Sequence, residues 1–305
     1  LYHYNGSSPQ QPCVLPIAPP YTQVFDAVRC TGVDMIIVNG VESAALSAHD
    51  RGLMYGDGVF RTLQLRRGTA VWWPRQYAKL AHDCQALKID CPSEVELLQD
   101  LATIAAAAPD CVAKIIVTRG ESARGYAMSK HAAVTRIVTS SALPRYPDRY
   151  FEEGVRVHMC RLRLALQPAL AGIKHLNRLE NVLARAEWRD PAVAEGLMCD
   201  AEDAVIGGTM SNLFLFGNGT LLTPDVTRCG IAGVMRDLVI ELAATHGVAF
   251  ATAVVGIDDL LAAEEVFLVN SVIGLWPVAA LDRKSWKVGT VTTQFRRWIN
   301  DAQHV

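Results

Sequence analysis

A two-part α+β fold is what this chain of 305 residues predicts, on three observations. Short strands are joined by tight turns, and helical stretches fall among them without the regular strand–helix–strand alternation of a parallel sheet. A double-proline break, Leu143-Pro-Arg-Tyr-Pro-Asp148, interrupts the pattern near the middle. The expected organisation is an extension over residues 1–34, a smaller α+β domain over 35–142, a linker over 143–150 and a larger α+β domain over 151–305.

Residues 1–34 are rich in Pro, Ser, Gln and Gly and show no sustained period, so they are expected to be poorly ordered. Met35-Ile-Ile-Val-Asn-Gly40 begins the core as a strand and turn. A loop with three glycines then leads into a strand over 59–65, and Arg66-Arg-Gly-Thr69 turns it back onto Ala70-Val-Trp-Trp73. Helices are expected over 75–87 and 93–107. Lys114-Ile-Ile-Val-Thr-Arg-Gly120 and Val134-Thr-Arg-Ile-Val-Thr139 read as strands, and Glu121-Ser-Ala-Arg-Gly-Tyr126 as a polar loop.

Beyond the break, strands are expected over 155–160, 196–200 and 205–216, the last two joined by the acidic turn Ala201-Glu-Asp-Ala204. Asn218-Gly219 is a hairpin signal. Gly230 and Gly233 precede a helix expected to run to Thr245, and Glu265-Val-Phe-Leu-Val-Asn-Ser271 is a strand ending in a hydroxyl.

Half of the residues are hydrophobic and a fifth charged, an ordinary globular composition, and the net charge of −2 gives no general attraction to nucleic acid or anionic membrane. A small-molecule ligand is expected. No apolar run approaches the roughly 20 residues of a membrane span. The eight cysteines include no CxxC pair, so neither a zinc site nor a redox motif is indicated and the thiols are expected to be reduced. The first residues lack a basic segment followed by an apolar one, and a cytoplasmic location is expected.

The stretch Leu170-Ala-Gly-Ile-Lys-His-Leu-Asn-Arg-Leu-Glu-Asn-Val-Leu-Ala-Arg185 puts Lys174 at the entrance of an expected helix. Leu176, Leu179, Leu183 and Ala186 recur at helical spacing as its core face, with Arg178, Asn181 and Arg185 on a polar face. Near unpaired helix N–H groups and partly desolvated, Lys174 would have a depressed pKa and suit a Schiff-base nucleophile; alone, a solvated surface lysine is the plainer reading. Arg51, beside Gly56 and Gly58, offers a planar fork suited to phosphate, although a turn with a surface arginine is again the plainer reading. The helix entrance after Gly230 and Gly233 would bind phosphate through its N–H groups and dipole, and Ser271 adds a hydroxyl. Together these four parts match pyridoxal phosphate, whose aldehyde needs a lysine and whose phosphate needs a cradle of donors.

Five ordered motifs resemble the fold type IV pyridoxal-phosphate enzymes and, within them, the aminodeoxychorismate lyases. They are Asp50-Arg-Gly-Leu-Met-Tyr-Gly-Asp-Gly58, Thr118-Arg-Gly-Glu-Ser-Ala-Arg-Gly-Tyr126, Ala171-Gly-Ile-Lys-His-Leu-Asn-Arg-Leu-Glu180, Ser211-Asn-Leu-Phe214 and Gly230-Ile-Ala-Gly-Val-Met-Arg236. The resemblance implies that Lys174 holds pyridoxal 5'-phosphate and shuttles protons while Arg51 binds the phosphate. It also implies backbone donors at Gly233, Val234 and Met235, a hydroxyl at Ser271, a contact from Asn177 to the cofactor ring, and substrate carboxylate contacts from Arg119 and Arg124. Thr62 matches the position credited with protonating the leaving group. The implied reaction converts 4-amino-4-deoxychorismate into 4-aminobenzoate and pyruvate, on the way to folate, in a homodimer whose partner closes the site. One departure stands out: relatives place a glutamate against the pyridine nitrogen where this chain has Gly207. A branched-chain or D-amino-acid transaminase and a catalytically impaired cofactor-binding homologue are the competing readings.

Overall fold

The computed structural model describes residues 35–128 and 133–303, so the extension expected over 1–34 lies outside the described residues. Two sheets organise the chain. The first has six antiparallel strands in the spatial order Val41–Glu42, Ile36–Val38, Thr135–Ser141, Cys111–Thr118, Gly58–Arg66 and Thr69–Ala70. Alternation along Gly58–Arg66 sends Val59, Leu63 and Leu65 into a core shared with Ile115 and Val117. Leu80 from helix Trp73–Ala86, and Leu97, Leu101 and Ile104 from helix Glu94–Ala107, close that core. The second helix begins at a capping box, in which Ser93 accepts from the Glu96 N–H and the Glu96 carboxylate accepts from the Ser93 N–H.

The second sheet is mixed. Its main path runs Ala249–Ala253, Thr220–Pro224, Asn212–Gly217, Glu265–Asn270, Gly274–Leu281, Val155–Leu164, Val193–Asp200 and Val205–Gly208. Val155–Leu164 is parallel to both of its neighbours, whereas Asn212–Gly217 and Thr220–Pro224 form the hairpin that Asn218-Gly219 announces, both turn residues having positive φ. Helices Val234–Thr245 and Thr290–Ala302 pack on this sheet through Met235, Leu238 and Phe295 against Phe214 and Phe267. Residues 143–150 carry no strand and connect the strands of the first sheet to Val155–Leu164.

The strand expected over 205–216 is two strands, because a buried carboxylate gathers the residues between them. Glu195 accepts from the Thr209 N–H and hydroxyl, the Met210 N–H and the Ser211 hydroxyl, and pulls 209–211 into a turn. Five of the described cysteines are buried and Cys91 partly so, all as free thiols. No described helix is long and apolar enough to cross a membrane.

Candidate active site

Lys174 does not sit at a helix entrance: the helix that follows starts only at Leu179. The lysine segment is extended and is stitched to both halves of the molecule. Phe60 N–H donates to the Lys174 carbonyl at 3.0 Å and Leu176 N–H to the Gly58 carbonyl at 2.9 Å, while Gly172 exchanges hydrogen bonds of 3.0 Å with Gly230 and Ala232. Gly58 is required for this approach, since a Cβ there would lie 2.6 Å from the Val117 carbonyl oxygen and 2.8 Å from Leu176. Sequence spacing missed the arrangement because segment pairing with the exposed edge of strand Gly58–Arg66 competes with helix formation and wins at 174–176.

The lysine faces a cavity of about 600 Å³ between the two sheets, and Thr62, Asn177, Gly207, Gly233, Val234, Met235 and Ser271 line it too. Burial, followed by the charges of Arg61, Arg178 and Lys114, lowers the Lys174 pKa to about 7, against a smaller opposing effect of Asp83. The depression that the sequence attributes to helix N–H groups thus arises from desolvation and neighbouring cations. A large fraction of the amine is therefore free base at neutral pH, the form a nucleophile needs. Its Nζ lies 4.6 Å from the centre of the Phe60 ring.

Gly233 caps helix Val234–Thr245 with no side-chain hydrogen bond, leaving first-turn N–H groups directed at the cavity wall. Ser271 Oγ accepts from Gln76 Nε2 at 2.9 Å, and Asn177 Nδ2 donates to the Gly56 carbonyl at 3.2 Å. The lysine, the helix entrance, the hydroxyl, Thr62 and Asn177 therefore converge on one space.

Arg51, Arg119 and Arg124 do not line that space. Arg51 Nε donates to Asp57 at 2.8 Å, and its Nη1 to Ser122 Oγ at 2.9 Å and the Gly125 carbonyl at 3.0 Å. Arg119 binds the same Asp57 carboxylate at 2.8 and 3.0 Å and the carbonyls of Leu87 and Lys88. Both guanidiniums are buried and occupied in holding the 119–127 loop against the helix 51–55, away from the lining of this cavity; Arg124 is exposed on that loop. Burial alone would raise the Asp57 pKa, but the hydrogen bonds and charges of Arg119 and Arg51 hold it below its ordinary value.

The sequence passed over Arg61, Gln76 and Asp83 as site residues and left Arg178 on a polar helix face. Arg61 and Arg178 are the guanidiniums that line the cavity, and Arg178 Nε is held by the His175 carbonyl at 2.9 Å. A signal for Arg61 existed: it occupies the inward position of the series Val59, Arg61, Leu63, Leu65, where a charge must have a partner or a ligand.

Comparison with known proteins decides the family. Residues 58–281 match the amino-transferase class IV family. The chain belongs to this class IV family. An aminodeoxychorismate lyase of Vibrio harveyi is 32% identical over 270 residues, 87% of this chain and 100% of the relative. A putative branched-chain-amino-acid aminotransferase of Methanocaldococcus jannaschii is 28% identical, covering 85% of this chain and 92% of that protein. Among solved structures, the 4-amino-4-deoxychorismate lyase of Pseudomonas aeruginosa is 49% identical with a TM-score of 0.85, over 88% of this chain and 98% of that one. Enzymes of the class IV family depend on pyridoxal 5'-phosphate. The residues present suit it: a cavity lysine with a lowered pKa, a helix entrance free of side-chain caps, and a buried arginine whose Nε has no acceptor among the described residues.

Proposed function

We propose that the protein is a pyridoxal-phosphate-dependent lyase that converts 4-amino-4-deoxychorismate into 4-aminobenzoate and pyruvate. The observation that carries this reading is one cavity that presents a lysine of pKa about 7 together with Thr62. The likeness to two lyases named above, and the run Lys174-His-Leu-Asn-Arg-Leu-Glu180, favour elimination over transamination.

In this reading Lys174 holds the cofactor, and Gly233, Val234, Met235 and Ser271 present donors to its phosphate. Bound there, the cofactor supplies an electron sink for a carbanion on the substrate carbon bearing nitrogen. Lys174 Nζ, as a free amine, would take the proton from that carbon, as its near-neutral pKa allows. Thr62 Oγ1 delivers a proton to the departing enolpyruvyl oxygen. Arg178 replaces Arg119 and Arg124 as the guanidinium placed for a substrate carboxylate. Asn177, which donates to the Gly56 carbonyl and lines the cavity, would contact the cofactor ring.

Gly207 leaves its strand position without a carboxylate. Glu202 and Asp203 do not substitute, because they pair with Arg228 and Arg163 on the surface. This absence weighs more against transamination than against an elimination that ends in an aromatic ring. A side chain at Gly207 would need its surroundings to give slightly, since a Cβ would lie 3.0 Å from the Ser211 carbonyl oxygen.

The reading includes a homodimer, and it is supported by an inverted helix. On Leu179–Arg185 the polar side turns inward, with Asn181 bonded to the Thr209 carbonyl at 2.8 Å, while Leu179, Val182 and Leu183 are 74%, 61% and 59% exposed. The expected core face of this helix is therefore outside. Covering such side chains is favourable by about 1.5–3 kcal/mol each when complete, and a second copy would cover them beside the cavity mouth, where Leu179 lies.

Thr62→Val tests the assignment. It keeps the shape and removes the hydroxyl, so elimination should fall about 10²-fold or more while cofactor affinity stays unchanged. Equal losses in both would make Thr62 a structural residue and remove the proton donor from the proposal.

A further inference from the structure

We propose that Arg61 is the cation that receives the cofactor's phosphate, and that Asp83 is a positioning residue tying this cation to the backbone of Lys174. The proposal rests on the cofactor reading above and assigns two residues within it.

Arg61 is 3% exposed, yet it lines the cavity. Its Nη2 donates to the Lys79 carbonyl at 3.1 Å and to the Asp83 carboxylate. Nε is buried with no acceptor among the described residues. A buried guanidinium normally uses most of its five donors, so one that leaves Nε idle inside the protein is incomplete without an acceptor, and an anion in the cavity would supply it. The helix entrance at Gly233 points to the same anion, because it too presents donors to the cavity without a side-chain cap.

Contacts place Arg61 on the helix side. It donates to the carbonyl of Lys79, whose Nζ pairs with Asp237 in the first turn of helix Val234–Thr245, whereas the Arg178 guanidinium is bonded to His175. The other cations nearby are engaged: Lys79 Nζ lies 2.8 Å from Asp237, and Arg51 is committed to Asp57. Arg61 is thus the fork available beside Ser271, Gln76 and the helix entrance.

Asp83 is 1% exposed, and one of its oxygens, Oδ2, accepts from both Arg61 Nη2 and the Lys174 N–H, the latter at 2.9 Å. The other oxygen lies 3.2 Å from His82 Nδ1. A single carboxylate oxygen therefore fixes the Arg61 guanidinium relative to the backbone of Lys174. The arrangement matches a ligand that carries an anion and a lysine-reactive aldehyde at a set separation.

The test compares pyridoxal phosphate with pyridoxal, which lacks the phosphate, by absorbance titration of cofactor-free protein. Arg61→Gln should weaken pyridoxal phosphate about 10- to 100-fold, the range of a lost charge-assisted contact, and leave pyridoxal nearly unchanged. Equal weakening of both ligands, or of neither, overturns the assignment of Arg61. If Arg61→Gln does not fold, Arg61→Lys serves: a point charge without the fork should cut the phosphate preference several-fold, and an unchanged preference overturns the proposal. For Asp83→Asn the readout is the midpoint of Lys174 titration, followed by chemical labelling of the cofactor-free protein. Arg61, Arg178 and Lys114 remain, the one favourable charge is lost, and the midpoint should drop below about 7; an unmoved midpoint overturns the role of Asp83. Should the unaltered protein bind neither ligand, the cofactor reading itself fails, a result distinct from loss of the phosphate preference alone.

Discussion

Replacing Lys174 by alanine is expected to leave a folded protein without the visible absorbance of lysine-linked pyridoxal phosphate and with turnover reduced about 10³-fold or more. No second lysine lines the cavity among the described residues; Lys79 is paired with Asp237, and Lys114 lies outside the lining. The fold should tolerate the change. Lys174 shares its surroundings with Arg61 and Arg178, and its charge is disfavoured there, so its loss relieves repulsion instead of breaking an ion pair. In the unaltered, cofactor-free protein, labelling of this amine should show a midpoint near pH 7, well below the ordinary 10.5, and the labelling should vanish in the variant. A variant that keeps the absorbance after dialysis would show that another amine forms the link.

Asp57→Ala is expected to destabilise the protein by about 3 kcal/mol, the lower end of the cost of breaking a buried ion pair. The lower end applies because both stranded guanidiniums keep carbonyl partners: Arg51 those of the 125–127 loop, and Arg119 those of Leu87 and Lys88. The effect has a pH sign. Because the folded-state pKa of Asp57 is depressed, its contribution is present above the unfolded value, ordinarily 3.8, and is lost as pH falls through the lower folded value. The stability difference between the two proteins should therefore persist at neutral pH and shrink in strong acid. Denaturation across pH checks this, and cofactor affinity gives the contrast. If Arg51 bound the phosphate, as the motif in sequence implies, freeing it from Asp57 would alter affinity for pyridoxal phosphate more than stability.

The legible parts of this chain are those written in local patterns. Alternation through Val59, Leu63 and Leu65, the Ser93 cap with Glu96, and Asn218-Gly219 each specify structure through neighbours in sequence. That the lysine, the glycine-led helix entrance and Ser271 share one cavity was legible because their chemistry suits a single ligand and their motifs keep their order. What failed depended on distant partners. Arg51 and Arg119 share Asp57 in folded space, and helical spacing cannot say whether Leu179 and Leu183 face a core, a solvent or a second copy. The same limit hid Asp83, a helix residue whose carboxylate meets the Lys174 N–H 91 positions later in the chain. Arg61 alone gave a local warning, as a charge in an apolar inward series.

The central claim is elimination from 4-amino-4-deoxychorismate, and its most direct test is product stoichiometry. Purified protein loaded with pyridoxal phosphate should release 4-aminobenzoate and pyruvate in equal amounts over many turnovers, with no added amino acid or keto acid. An added amino acid should convert little of the cofactor to its amine form. Rapid conversion of the cofactor by an amino acid, with no 4-aminobenzoate formed from the chorismate-derived substrate, would contradict the account and make the protein a transaminase.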